Sequence, residues 1–272
     1  MSCSVKKVPT TSFEMKYMRF GREGAAPIVI LPGLSVQYVT DSAEAVAAAY
    51  GKLAADYDLY LFDRRTDVPE KYSIRQMAED TAQAMQILGL HQAGIFGVSQ
   101  GGMIAQALAV RYPQLVSAMV LGSTACRATA QTQNIVYSWI ELAKEEKRDE
   151  LMDVFAQAVY SPAFYDRIRS ILPAMAQSIK PKELSRFVIL ASDLQGFDLS
   201  DQIDRIVCPV LVIGAGADQI MGAESAPELA EKLDCDLYIY EGYGHGVYDE
   251  APDYVDRLKH FFDLYLKAQK KD

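Results

Sequence analysis

The chain has 272 residues, half of them apolar and 23% charged, which is enough for one large domain with a substantial core. Its formal net charge of −9 argues against nucleic acid or an anionic membrane as a partner, because both require clustered Lys and Arg. The lysines between Lys267 and Lys271 are too few to reverse that balance and are taken as a solvated helix end.

From the N-terminus, the first segment (Met1-Ser2-Cys3-Ser4-Val5-Lys6-Lys7) has no apolar core of the kind a secretory leader carries, and no run approaches 18 apolar residues. A cytoplasmic protein is therefore expected, with Cys3, Cys126, Cys208 and Cys235 reduced, since none shows C-x-x-C spacing. Phe13 to Phe20 alternates and meets Gly21, predicting an antiparallel strand. Pro27-Ile28-Val29-Ile30-Leu31 is continuously apolar, as in a strand buried on both faces, and ends in Pro32-Gly33-Leu34-Ser35. A helix over about 42–55 and a strand over 59–62 follow. Asp63, at that strand's end, is read as a structural ion-pair partner of Arg64 and Arg65. A further helix is predicted over 73–88. His91 then lies before the next strand, at the wrong end for chemistry.

The next segment is the most informative. Ala93-Gly94-Ile95-Phe96 leads into Gly97-Val98-Ser99-Gln100-Gly101, and a small-residue helix follows from Gly102. This pattern predicts strand, sharp turn and helix, with Ser99 held clear of the sheet and the helix amides aimed at it. A bare G-x-S-x-G arises by chance in roughly one chain in ten to twenty of this length, so its flanks and its partners carry the argument.

After a strand over 118–121 the rhythm changes. From 127 to 206 the pattern is helical, with segments over 135–146, 150–159, 164–174 and 183–190; it is read as an insertion over the C-terminal edge of the sheet. Asp198, Asp201 and Asp204 within it look like turn and helix-start residues. Strand 210–213 follows and leads to Gly214-Ala215-Gly216-Ala217-Asp218. A helix over 223–233 and a strand over 237–240 come next, then Tyr243-Gly244-His245-Gly246 and a helix over 253–266 that contains His260. Short apolar strands alternating with amphipathic helices predict an α/β fold with a mostly parallel sheet covered on both faces.

A serine hydroxyl needs an adjacent base and a third group to orient that base. Of three histidines, only His245 follows a strand on a glycine-flanked loop, and Asp218 follows a strand between Ser99 and His245. The candidate catalytic residues are therefore Ser99, Asp218 and His245, in the nucleophile–acid–base order of one fold.

These residues identify a resemblance to the α/β-hydrolase superfamily, extending from about Phe13 to Leu266. The stretch from Gly97 to Gln106, the aspartate after Gly214-Ala215-Gly216 and the Gly244-His245-Gly246 loop are similar to those of capped, single-domain members of the 3-oxoadipate enol-lactonase-like and carboxylesterase-like kinds. The resemblance implies a core of 1–126 and 207–272 with a helical cap at 127–206. It also implies an oxyanion hole made by the backbone N–H groups of Gln100 and Leu34. Two positions depart from the family pattern: Leu31-Pro32-Gly33-Leu34 lacks a common His-Gly, and Asp63-Arg64-Arg65-Thr66 lacks a common glycine.

The expected activity is hydrolysis of an ester, thioester or lactone of a small, partly apolar substrate through an acyl-enzyme, with neither metal nor organic cofactor. Acyl transfer, C–C bond cleavage on the same triad, and ligand reception without turnover are the alternatives. Tyr137, Trp139, Phe155, Tyr160 and Phe164 in the insertion, with Val247 and Tyr248 after the histidine, are the candidate pocket residues. The natural substrate and the oligomeric state are not legible in the sequence.

Overall fold

The structure, a computed structural model, describes residues 3–267. Its frame is an eight-stranded sheet: β1 (Ser4–Lys7), β2 (Lys16–Gly21), β3 (Pro27–Leu31), β4 (Asp58–Phe62), β5 (Ala93–Val98), β6 (Val116–Gly122), β7 (Val210–Ala215) and β8 (Asp236–Tyr240). The strand order is β1-β2-β4-β3-β5-β6-β7-β8; only the pairings β1 with β2 and β2 with β4 are antiparallel. Every residue of β4 and β5 is buried, as continuous apolar runs in a sheet covered on both faces should be.

The period of two along each strand assigns side chains to two cores. Val29, Leu31, Ile95, Met119 and Val212 face one side. Ile28, Ile30, Phe96, Val120 and Ile213 face the other. The first core is closed by α3 (Ile74–Ile87), α4 (Gln100–Arg111) and α10 (Ser225–Leu233), the second by α1 (Ala43–Ala49), α2 (Gly51–Ala54) and α12 (Tyr254–Leu266). Ser73 starts α3 with a capping box: its hydroxyl accepts from the Gln76 amide at 3.2 Å, and the Ser73 amide donates to Gln76 Oε1 at 2.8 Å.

Five helices intervene between β6 and β7: α5 (Ala130–Lys144), α6 (Arg148–Val159), α7 (Pro162–Ile168), α8 (Leu172–Ser178) and α9 (Pro181–Ser192). The apolar faces of α5, α6 and α9, including Trp139, Leu151 and Phe187, join the first core without a break. A short helix, α11 (Val247–Glu250), precedes α12.

Several boundaries differ from expectation. The single helix anticipated over 164–174 is two, because Pro173 in the first turn of α8 has no N–H to continue the preceding ladder. The helix anticipated over 42–55 breaks at Tyr50, just before Gly51. Edge strand β1 and helix α11 have no counterpart in the sequence pattern.

The ion pair expected of Asp63 does not form. Its carboxylate instead accepts from the Val39 amide at 3.1 Å and the Thr40 amide at 2.9 Å, while Arg65 pairs with Asp67 and Asp80. All four cysteines are free. His91 and His260 are exposed. Lys267 pairs with Asp56 and Asp263; the lysines at 270 and 271 lie outside the described residues. Among the described residues no helix is long and apolar enough to cross a membrane.

Candidate active site

The C-terminal ends of four parallel strands deliver the candidate residues to one edge of the sheet. β3 leads into Pro32-Gly33-Leu34, β5 into Ser99, β7 to Asp218 and β8 to His245. Ser99 has φ 53° and ψ −121°, a conformation that costs a residue with a side chain about 1–3 kcal/mol and persists only where its surroundings impose it. Those surroundings are identifiable. The Ser99 amide extends the sheet ladder to the Gly122 carbonyl at 2.9 Å. The Ser99 carbonyl accepts from Gly102 N at 2.9 Å and Thr124 Oγ1 at 2.8 Å.

The glycines of the motif are required by contact. A Cβ on Gly101 would lie 1.9 Å from the Leu31 carbonyl oxygen, and one on Gly97 would lie 2.6 Å from the Gly101 carbonyl oxygen. Gly101→Ala is therefore expected to push β3 and α4 apart, lowering the melting temperature by about 5–10 °C and abolishing reactivity at Ser99. A thermal melt beside serine labelling checks this; a variant that melts and labels like the parent would show that the close approach is unnecessary.

His245 and Asp218 are both buried, and His245 Nδ1 lies 2.9 Å from Asp218 Oδ2. The other carboxylate oxygen accepts from the amides of Ile220 at 2.8 Å and Met221 at 3.0 Å, so the aspartate is anchored before it touches the imidazole. A carboxylate can only accept, so Nδ1 carries the proton and Nε2 is left with its lone pair. His245 and Ser99 face the same cavity, with no hydrogen bond joining them; such contacts often tighten only when substrate is bound.

The glycines beside His245 serve a second approach. A Cβ on Gly244 would come within 3.2 Å of the Val159 carbonyl oxygen, and one on Gly246 within 2.7 Å of the Tyr160 ring. Gly246 N donates to the Val159 carbonyl at 2.6 Å, and Glu250 accepts from the Ser161 amide at 2.9 Å and from its hydroxyl. The histidine loop is thus stitched to the end of α6.

Gly33 lies against Ser99: a Cβ there would stand 3.2 Å from the serine Cβ. Leu34 lines the cavity, and Gln100 opens α4, where its amide has no intrahelical partner. The departures from the family pattern meet here. Arg64, buried, donates to the Pro32 carbonyl at 2.6 Å and to Gln100 Oε1 at 3.4 Å, and Gln100 Nε2 donates to the Leu190 carbonyl at 2.6 Å. Burial lowers the Arg64 pKa to about 10. A side chain from the loop after β4 thus ties the loop after β3 to the first residue of α4.

The cavity measures about 490 Å³, within the range of small-molecule sites. Its walls come from both the sheet edge and the intervening helices, including Trp139, Phe155 and Tyr160. Three expected pocket residues are elsewhere. Tyr137 lies on the outer side of α5, 57% exposed, because its neighbour Trp139 takes the inward side. Val247 is buried in the second core, and the adjacent Tyr248 lines the cavity instead. Phe164 stacks on Tyr160 with ring centres 4.6 Å apart and does not reach the lining.

The sequence pattern gave no sign of Asp249 or Tyr50, both of which line the cavity. Asp249 accepts from Tyr160 OH at 3.1 Å, and burial pushes its carboxyl up to about 6. One turn of chain separates it from His245, a spacing with no motif attached.

A family model described as the alpha/beta hydrolase fold matches residues 27–144. The chain is 23% identical over 163 residues to 3-oxoadipate enol-lactonase 2 of Acinetobacter baylyi, an alignment that spans 60% of each protein. The enol-lactonase of Burkholderia xenovorans LB400 superposes with a TM-score of 0.83 at 19% identity, covering 94% of this chain and 99% of that one. MGS-M2, an alpha/beta hydrolase enzyme from a Medee basin deep-sea metagenome library, superposes with a TM-score of 0.84 at 22% identity, covering 94% and 97%.

Proposed function

Because the chain belongs to the α/β-hydrolase superfamily, we propose that it is a serine hydrolase cleaving an ester, thioester or lactone of a small, partly apolar substrate. The observation that carries this reading is the convergence of Ser99, on its strained turn, and His245, oriented by Asp218, at one cavity. Ser99 Oγ attacks the acyl carbon while His245 Nε2 takes its proton, and Asp218 stabilises the resulting imidazolium. The oxyanion is received by the amides of Gln100 and Leu34; one such donor is typically worth about 2.7–4 kcal/mol. The imidazolium then protonates the leaving alcohol, thiol or ring oxygen. Water, deprotonated by the same nitrogen, releases the acid and restores the serine. Protein side chains and water complete this cycle.

In this reading 127–206 is the cap, carrying α5 to α9, and 1–126 with 207–272 is the core. The stitching of the histidine loop to α6 makes the cap part of the site's wall. The enol-lactonase relative's name specifies the enol-lactone of 3-oxoadipate, which keeps one carboxylate outside the ring. The cavity here contains no lysine or arginine to receive a carboxylate, which favours neutral acyl groups.

The test is reaction of the purified protein with a fluorophosphonate probe, with the adduct located by peptide mass spectrometry. Labelling confined to Ser99, and absent from Ser99→Ala, is expected. A folded sample that does not label, or that labels elsewhere, would overturn the assignment.

A further inference from the structure

The charge pattern of the cavity is one-sided. Its lining carries one carboxylate, Asp249, and neither lysine nor arginine. Asp249 forms no ion pair among the described residues; its one side-chain partner is the Tyr160 hydroxyl. The phenols of Tyr50, Tyr160 and Tyr248 stand close enough to feel its charge, and burial keeps all three protonated at any ordinary pH. Glu250, the neighbouring acid, is occupied by Ser161 and adds further negative potential.

Asp249 is exposed and lines the cavity with no cationic partner among the described residues, so its charge is available to a ligand. The 3.1 Å hydrogen bond from Tyr160 ties Asp249 to the end of α6 and holds carboxylate and ring side by side at the cavity wall. Carboxylate and aromatic rings together form the chemistry that receives an organic cation, by charge and by the negative faces of the rings.

We propose that Asp249, with Tyr50, Tyr160 and Tyr248, forms a subsite for the ammonium group of a cationic substrate, so that the enzyme selects amine-bearing or quaternary-ammonium esters over neutral ones of the same shape. The proposal rests on the serine-hydrolase reading for its kinetic form. Asp249 selects substrate rather than taking part in bond breaking, and its effect belongs to the comparison between a cation and its isostere.

Two matched ester pairs test this at pH 7.5, where the carboxylate is ionised: butyrylcholine against 3,3-dimethylbutyl butyrate, and 6-aminohexyl butyrate against heptyl butyrate. The ratio of kcat/KM within each pair cancels losses shared by both esters. The parent protein is expected to favour the cation by about tenfold in at least one pair. Asp249→Asn should collapse that ratio towards one, and Asp249→Glu should keep part of it. A ratio at or below one in both pairs, or one unchanged in Asp249→Asn, overturns the subsite while leaving the hydrolase reading intact.

If Asp249→Asn fails to fold, protection of Ser99 from the fluorophosphonate decides on the parent protein. Choline should protect at about tenfold lower concentration than 3,3-dimethylbutanol, and equal protection overturns the proposal. If none of these esters is hydrolysed, the hydrolase reading is judged by fluorophosphonate labelling of Ser99 alone. Calorimetry of butyrylcholine and its isostere on Ser99→Ala then decides the subsite separately: tighter binding of the cation sustains it, and equal binding overturns it.

Discussion

Ser99→Ala is expected to lower kcat by about 10⁵–10⁶-fold on a neutral butyrate ester, with KM changed by no more than a few-fold. The size follows from what is removed. Without the hydroxyl no acyl-enzyme forms, and the strained turn then presents a methyl group to the substrate. The oxyanion amides and the cavity walls remain, so ground-state binding survives together with the residual rate they support. Steady-state kinetics, with loss of the pre-steady-state burst, measure this. A loss of only about tenfold would mean that some other group attacks the substrate.

Asp218→Asn should cost about 10⁴-fold in kcat while leaving the melting temperature within a few degrees. The reason is the anchoring of the side chain. One carboxylate oxygen accepts from the amides of Ile220 and Met221, and the other faces His245 Nδ1. An asparagine in this place must give its single carbonyl oxygen to the two backbone amides, which turns its NH₂ towards Nδ1. That nitrogen must then accept, the proton moves to Nε2, and the imidazole cannot take the proton of Ser99. A loss below about tenfold would reduce Asp218 to a turn residue that happens to lie near the ring.

The departures from the family pattern show how one local rule can be met by another. The loop after β3 lacks a common histidine, yet it is tied down by Arg64 from the loop after β4. In the sequence Asp63 stands beside Arg64 and Arg65, which suggests a local ion pair. In the fold Asp63 caps backbone amides at Val39 and Thr40, and Arg64 reaches a carbonyl 32 residues earlier in the chain. Adjacent opposite charges suggest an ion pair, but buried backbone groups need partners too and here they win.

What the sequence determined by itself is whatever is encoded locally. Continuous apolar runs marked the buried parallel strands, because both faces of such a strand must leave water. The glycine pattern marked the turn at Ser99, because only glycine admits the Gly101 approach to the Leu31 carbonyl. The order of Ser99, Asp218 and His245 after successive strands carried the candidate site, because a parallel sheet delivers all its strand ends to one edge.

What tertiary structure alone decided is which side chains of the helical segment face inward, and what stands opposite them. Tyr137 and Trp139 are equally aromatic and two residues apart on one helix, so only packing against the first core sends one to the cavity and the other to solvent. Asp249 is an ordinary acid in the chain. It becomes the cavity's one carboxylate because α11, Tyr50 after β3 and Tyr160 at the end of α6 meet there. Such a meeting joins positions far apart in sequence, and no local periodicity records it.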